Sequence, residues 1–238
     1  MHQIHVSGLT VDVARKNIKN LHLGVYPPNG RVRVAAPLLV NDEAVRMAVI
    51  ARLGWIKRQQ AKFTKQERET QREYVNGESH YFLGNRYLLN IVENSPSGKV
   101  SIRNKKRLDL YVRANSSREQ RERILLNWYR SHLRQSIPTL IEKWERILGV
   151  QISEWGIKQM KTKWGACNIQ KHRIWINLEL AKKSEQCLEY IIVHEMMHLL
   201  ERHHNEQFLA LMNKFMPGWQ LHRAELNRAP LGHVNWEY

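Results

Sequence analysis

Cysteine is scarce in this chain. There are two in 238 residues, Cys167 and Cys187, and they lack the close paired spacing of a metal knuckle. That excludes a disulfide framework and suits a reducing compartment, so a cytoplasmic location is the expectation. Long apolar runs are missing too: no stretch of about 18 apolar residues occurs, which excludes a predicted membrane span. The opening residues Met1-His2-Gln3-Ile4-His5-Val6-Ser7 are too polar for a signal peptide. No internal repeat, low-complexity segment, helix-turn-helix or zinc-finger pattern is visible. Acidic residues are under-represented, 22 Asp+Glu against 38 Lys+Arg, for a formal charge of +16. A field of that sign attracts polyanions, so association with DNA or RNA is one expectation and a merely solvated basic surface the other. The basic residues cluster in three stretches: Arg46 to Arg68, Lys99 to Arg107 and Arg118 to Arg134.

Histidine is plentiful by contrast, with 12 residues, and the segment His194-Glu195-Met196-Met197-His198 places two of them four apart. On a helix both imidazoles leave one face a turn apart, where two neutral ring nitrogens can share one Zn²⁺. Glu195 leaves the same turn in another direction. There it can stand beside a metal without ligating it and take a proton from the attacking water. The preceding Leu188-Glu189-Tyr190-Ile191-Ile192-Val193 is apolar enough to bury, so a helix from about Glu185 to Glu201 crossing a core is expected.

A catalytic zinc usually takes a third protein ligand and keeps a position for water. His204 is the favoured third ligand, with His203 and Glu225 as alternatives. His204 lies six residues past His198, roughly 240° around an unbroken helix, so the helix must stop near Glu201 or Arg202 and turn back. Metzincins share this His-Glu-x-x-His-x-x-x-x-x-His spacing but carry glycine where this chain has Glu201. A residue other than glycine must therefore make the turn, or the turn has another shape.

Upstream, Lys163-Trp164-Gly165-Ala166-Cys167-Asn168 and Arg173-Ile174-Trp175-Ile176-Asn177-Leu178 read as two short strands joined by a polar turn at Asn168 to His172. The second strand either pairs with an extended substrate or simply builds the sheet under the helix. Cys167 reads as a small buried hydrophobe and Trp164 as packing. The order Trp-Gly-Ala-Cys, a strand ending in Asn-Leu, the His-Glu-x-x-His helix, then Phe208 and Met216-Pro217-Gly218-Trp219 resembles the YgjP-like metallopeptidases, relatives of the SprT and WLM zinc proteases. Gly30-Arg31-Val32-Arg33-Val34, Ala36-Pro37, Trp55-Ile56 and Leu83-Gly84 extend the resemblance over nearly the whole chain. Ala166 stands where the family often has Ser, and Lys163 where it often has Arg.

The resemblance implies a zincin-type metalloprotease or related metal-dependent hydrolase. His194, His198 and His204 would be its ligands and Glu195 its base; a protein or peptide substrate follows, but not its identity. A nucleic-acid-associated protein with an auxiliary metal site and a non-peptidase amidohydrolase are the other readings. For a second oxyanion donor, Tyr190, His222 and Arg223 are near in sequence.

The predicted fold is α+β: a β-rich region with one long helix over 1–113, then a zincin-like helical metal domain with a small sheet over 114–238. Asn41 is expected to cap a helix running to about Thr70, weakened at Gly54. Strands return over 74–113, with turns at Asn76-Gly77, Gly84-Asn85 and Ser95-Pro96-Ser97-Gly98. Ser116 or Ser117 caps a long helix to about Leu148, with Pro138 as a kink point. Helices over Asn205 to Phe215 and after Pro217-Gly218 follow, and 230–238 read as loop.

Overall fold

The structure, a computed structural model, describes residues 2–26, 29–65, 72–93, 95, 98–160 and 163–228. Among them lie six α-helices, one 3₁₀ turn and three small sheets, an α+β architecture. The described residues fall into two compact units, 2–65 and 72–228.

The first unit is a four-stranded sheet with two helices. Its strands are β1 (His2–Val6), β2 (Leu9–Lys16), β3 (His22–Tyr26) and β4 (Arg31–Pro37), in spatial order β1-β2-β4-β3. Val6 pairs with Leu9 across the two-residue turn Ser7-Gly8, whose φ values are 48° and 78°. Positive φ at both positions gives a turn with the twist of the strands. The alternating Val11, Val13, Val32, Val34 and Ala36 are buried and share a core with Val45, Val49 and Ile56 of the helices. Asn41 caps the first helix by accepting from the Ala44 N–H at 2.9 Å. The expected single helix is two: α1 (Asp42–Ile50) and α2 (Leu53–Lys65), separated at Ala51-Arg52, just before Gly54. Its expected end near Thr70 lies outside the described residues.

The second unit holds the other two sheets and the remaining helices. β5 (Ser79–Phe82), β6 (Asn85–Val92), β7 (Lys99–Arg103) and β8 (Arg107–Tyr111) order as β5-β6-β8-β7. The turn at Gly84 closes a tight hairpin, and the basic stretch Lys99 to Arg107 forms another. Ser95 and Gly98 of the third expected turn are described; Pro96 and Ser97 lie outside the described residues. α3 (Arg118–Leu148) starts at a capping box, with Ser117 accepting from the Gln120 N–H and Gln120 reaching back to the Ser117 N–H, and it stops at left-handed Gly149. It runs through Pro138 as one element. Leu125, Tyr129, Leu133, Ile137 and Ile141 recur every four residues along its buried face.

That stripe shares one core with Leu89, Leu108 and Leu110 of β6 and β8. The division of the chain therefore falls between the described residues 65 and 72 and not at the expected 113/114. Strands 79–111 look like the first unit's strands in sequence, but their apolar faces are buried against α3.

β9 (Glu154–Lys158), β10 (Gly165–Asn168) and β11 (Arg173–Asn177) form the third sheet in the order β10-β11-β9. A 3₁₀ turn over Leu178–Lys182 leads into α4 (Glu185–Met197), followed by α5 (Glu206–Phe215) and α6 (Trp219–Arg228). α4 packs against β10 and β11 on one side and α3, α5 and α6 on others. No helix among the described residues is long and apolar enough to cross a membrane.

Candidate active site

α4 is apolar nearly all round, because it is enclosed on several sides: Cys187, Leu188, Tyr190 to Val193, Met196 and Met197 are all buried. Its polar exceptions, His194, Glu195 and His198, line one cleft of about 1020 Å³. The helix ends at Met197, four residues before the expected Glu201, and His198 is the capping residue. The N–H groups of Leu199 and Leu200 donate to the carbonyls of Met196 and Met197 at 3.0 and 2.9 Å, tightening the last turn to i→i−3 bonds.

The chain then reverses without a left-handed residue, since none from 198 to 205 has positive φ. Side chains close the turn instead. The Glu201 carboxylate accepts from the His203 N–H at 2.9 Å. The Asn205 N–H donates to the His203 carbonyl at 2.8 Å, and the Asn205 side chain caps α5 by accepting from the Phe208 N–H at 2.9 Å. Glu201, standing where a glycine was missed in the sequence, thus contributes its carboxylate to the reversal.

This turn brings His204 onto α4. Its Nε2 lies 3.0 Å from His194 Nε2, and the ligand atoms offered by His194, His198 and His204 all lie within 4.8 Å of one another. Phe208, 1% exposed, packs against all three rings with centroid separations of 5.1, 5.0 and 4.8 Å. His198 Nδ1 is 3.2 Å from the Glu201 carbonyl oxygen. A carbonyl can only accept, so Nδ1 carries the proton and Nε2 keeps its lone pair. His194 Nδ1 is buried without a hydrogen-bond partner among the described residues. Burial, with His198, His204 and Arg223 nearby, pushes the His194 pKa down to about 3; burial and His204 lower that of His198. Both imidazoles are thus held neutral, the form that ligates a metal. Three imidazole nitrogens converging at these separations fit a divalent metal that accepts imidazole, with a position left for water.

Glu195 is 6% exposed, and burial lifts its pKa to about 7 despite the opposing charge of Lys163. Its side chain lies directly on the backbone of β10. A Cβ on Gly165 would sit 2.6 Å from Glu195 Oε1 and 2.7 Å from its Cγ. Among the described residues β10 pairs only with β11, so it has a free outer edge, and it lines the same cleft as the three imidazoles. β11, the strand that the sequence offered as a possible substrate partner, is central in its sheet and takes the other role, building the sheet under α4.

The alternative ligands lie elsewhere. His203 is exposed and engages Glu201 through its N–H; Glu225 on α6 accepts from the Ser184 hydroxyl at 2.9 Å. Cys167 lines the cleft with its pKa pushed up to about 11 by burial and by Glu195, so it stays a thiol. Trp164 is partly buried against the core and also lines the cleft. Of the suggested oxyanion donors, Tyr190 and Arg223 line the cleft, whereas His222 does not.

Two features were not read from the sequence as parts of the site. One is the packing of Gly165 on Glu195. The other is Asn177, 4% exposed, whose amide donates to the carbonyls of Met160 and Lys163 and whose oxygen accepts from the Met160 and Glu179 N–H groups. Asn177 thereby ties the approach to β10 to the start of the 3₁₀ turn. Only its place in an Asn-Leu pair marked it in the sequence.

A family model described as YgjP-like, metallopeptidase domain, matches residues 19–229. No curated protein matches the chain. Among solved structures, the crystal structure of the metallopeptidase zymogen of Pyrococcus abyssi abylysin is similar at 22% identity, covering 38% of this chain and 90% of that one, with a TM-score of 0.35.

Proposed function

Because the chain belongs to the YgjP-like metallopeptidase family, and so to metal-dependent peptidases acting on proteins or peptides, we propose that it is a zinc peptidase with His194, His198 and His204 as ligands and Glu195 as general base. The observation that carries this reading is the convergence of the three imidazoles within 4.8 Å in a cleft that Glu195 also lines. Zinc held there supplies Lewis acidity, lowering the pKa of a water toward neutrality and drawing charge from the scissile carbonyl.

The chain's own residues do the rest. An extended peptide pairs with the free edge of β10 through main-chain hydrogen bonds, which sets its carbonyl over the ligand cluster. Glu195 takes the proton of the attacking water and passes it to the leaving nitrogen. Tyr190 and Arg223, which both line the cleft, are the side chains put forward to donate to the developing oxyanion. Around this machinery the second unit is read as zincin-like.

Glu195→Gln is expected to abolish hydrolysis while metal analysis finds zinc still bound. His204→Ala is expected to lower zinc occupancy. A fully active Glu195→Gln protein would refute the base, and unchanged zinc stoichiometry in His204→Ala would refute the ligand set.

A further inference from the structure

Among the described residues, the cleft is lined by one carboxylate, Glu195, and three cationic side chains, Lys163, Arg202 and Arg223. The cations come from separate elements: the segment before β10, the reversal after α4, and α6. All three residues are exposed, and none of their charged side-chain groups makes a hydrogen bond or ion pair with another described residue. Elsewhere in the same unit many basic residues are matched. Arg103 meets Asp109 at 2.8 Å, Lys143 meets Glu189 at 2.7 Å, Lys182 meets Glu179 at 2.7 Å, and Arg121 meets Glu93 at 3.6 Å. Other basic side chains of the unit, Lys99, Arg123 and Arg134 among them, also have no ion pair with a described residue; what distinguishes Lys163, Arg202 and Arg223 is that they line one cleft. Arg223 is also placed: its guanidinium lies 5.8 Å from the centroid of the Trp219 ring, which stacks on Tyr190 at 6.0 Å, one turn of α4 before His194.

We infer that the cleft takes an anionic stretch of polypeptide, with Asp or Glu side chains flanking the scissile bond held by Lys163, Arg202 and Arg223. This rests on the peptidase reading above. A cleft lined by one sign of charge focuses its field inward, so acidic segments are drawn in and basic ones repelled. The free β10 edge holds main chain and leaves side chains to choose, since alternate residues of a paired strand point to opposite faces. That geometry favours polypeptide over nucleic acid as the occupant.

The test uses three peptides of equal length whose flanks are Glu-rich, Gln-rich or Lys-rich. Cleavage is measured with the zinc-loaded full chain, and binding by fluorescence anisotropy with the Glu195→Gln protein. Two double variants are compared: Arg202→Gln/Arg223→Gln in the cleft, and Lys105→Gln/Lys106→Gln on the β7–β8 hairpin, which removes the same charge outside it. The Glu-rich peptide is expected to bind and react best. The cleft variant is expected to lose about 10-fold of that preference and the hairpin variant to keep it. Cleavage without charge preference overturns the inference and leaves the peptidase reading standing. Cleft-dependent binding of the Glu-rich peptide without any cleavage supports the inference and removes the peptidase reading. Equal losses in both double variants, or displacement of the peptide by an oligonucleotide whose binding is lost in the cleft variant, overturn the inference.

Discussion

Replacing Gly165 with alanine separates the geometry of the proposed base from the binding of the proposed metal. The added Cβ would lie 2.6 Å from Glu195 Oε1, 2.7 Å from Cγ and 2.9 Å from Cδ. Ordinary carbon contacts begin near 3.5 Å, so the carboxylate must retreat by roughly 1 Å. The helix cannot move instead, because α4 is enclosed by the core on several sides. A misplacement of about 1 Å at a reacting group costs on the order of 10²-fold in rate. The contact reaches Cγ as well as the carboxylate, an overpacking expected to cost the fold about 1–3 kcal/mol. The assay is kcat on a peptide substrate alongside zinc stoichiometry and urea unfolding. The expected result is a kcat near one-hundredth of wild type with zinc retained. A double-mutant cycle sharpens it: Glu195→Asp withdraws the carboxylate, so adding Gly165→Ala to that variant is expected to cost little more. Full activity in Gly165→Ala, or losses that simply multiply in the double variant, would refute the packing argument.

Asn177→Ala removes hydrogen bonds to Met160, Lys163 and Glu179 and leaves buried partners unmet. A loss of about 2–4 kcal/mol in urea unfolding, with kcat lowered through displacement of β10, is expected. The metal-free protein also carries a pH signature. Glu195 has its pKa raised from 4.5 to about 7 by burial, so the folded state keeps a proton that the unfolded state has released. Its contribution to stability therefore falls as pH rises from about 4.5 to about 7, by roughly 3 kcal/mol in all. His80 and His194, both pushed down to about 3 by burial, act oppositely, their contribution falling as pH drops below 6.5. Comparing metal-free wild type with Glu195→Gln isolates the carboxylate: Gln is expected to be the more stable at alkaline pH, with the gap closing toward about pH 4. An equal gap across the range would remove the assignment.

Much of the site could be read from the sequence because it is local. Two histidines four apart and an apolar approach fix a helix, two donors and a neighbouring carboxylate within one segment. The third donor was reachable because a helix continuing past His198 would point His204 away, so a reversal had to follow. The shape of that reversal was not legible: it depends on side-chain bonds from Glu201 and Asn205 that spacing does not reveal. Sheet order was not legible either. The alternation in Arg173–Asn177 shows a strand, but only pairing on both sides shows that it is central and that β10 is the edge. Gly165 and Glu195 are 30 residues apart, and no period links them. The expected boundary at 113/114 differs from the division into compact units for a related reason, since alternation cannot say whether β6 and β8 lay their apolar faces on a neighbouring sheet or on α3. Among the basic stretches, composition could not show that Arg118 and Arg121 meet Glu122 and Glu93, while the rim of the cleft stays unmatched.

The reversal after α4 also bears on how long a metal ion stays. Two donors ride on or at the end of a helix that opens only when the core opens. The third sits on a short segment closed by the Glu201 and Asn205 side chains, and such segments open far more often than the whole fold. In the proposed ligand set each opening would lift His204 away and drop the coordination by one donor while α4 stays intact. Metal exchange is therefore expected to follow the closing bonds of a loop and not unfolding, with residence time tuned by substitutions at Glu201 and Asn205 that touch no proposed ligand.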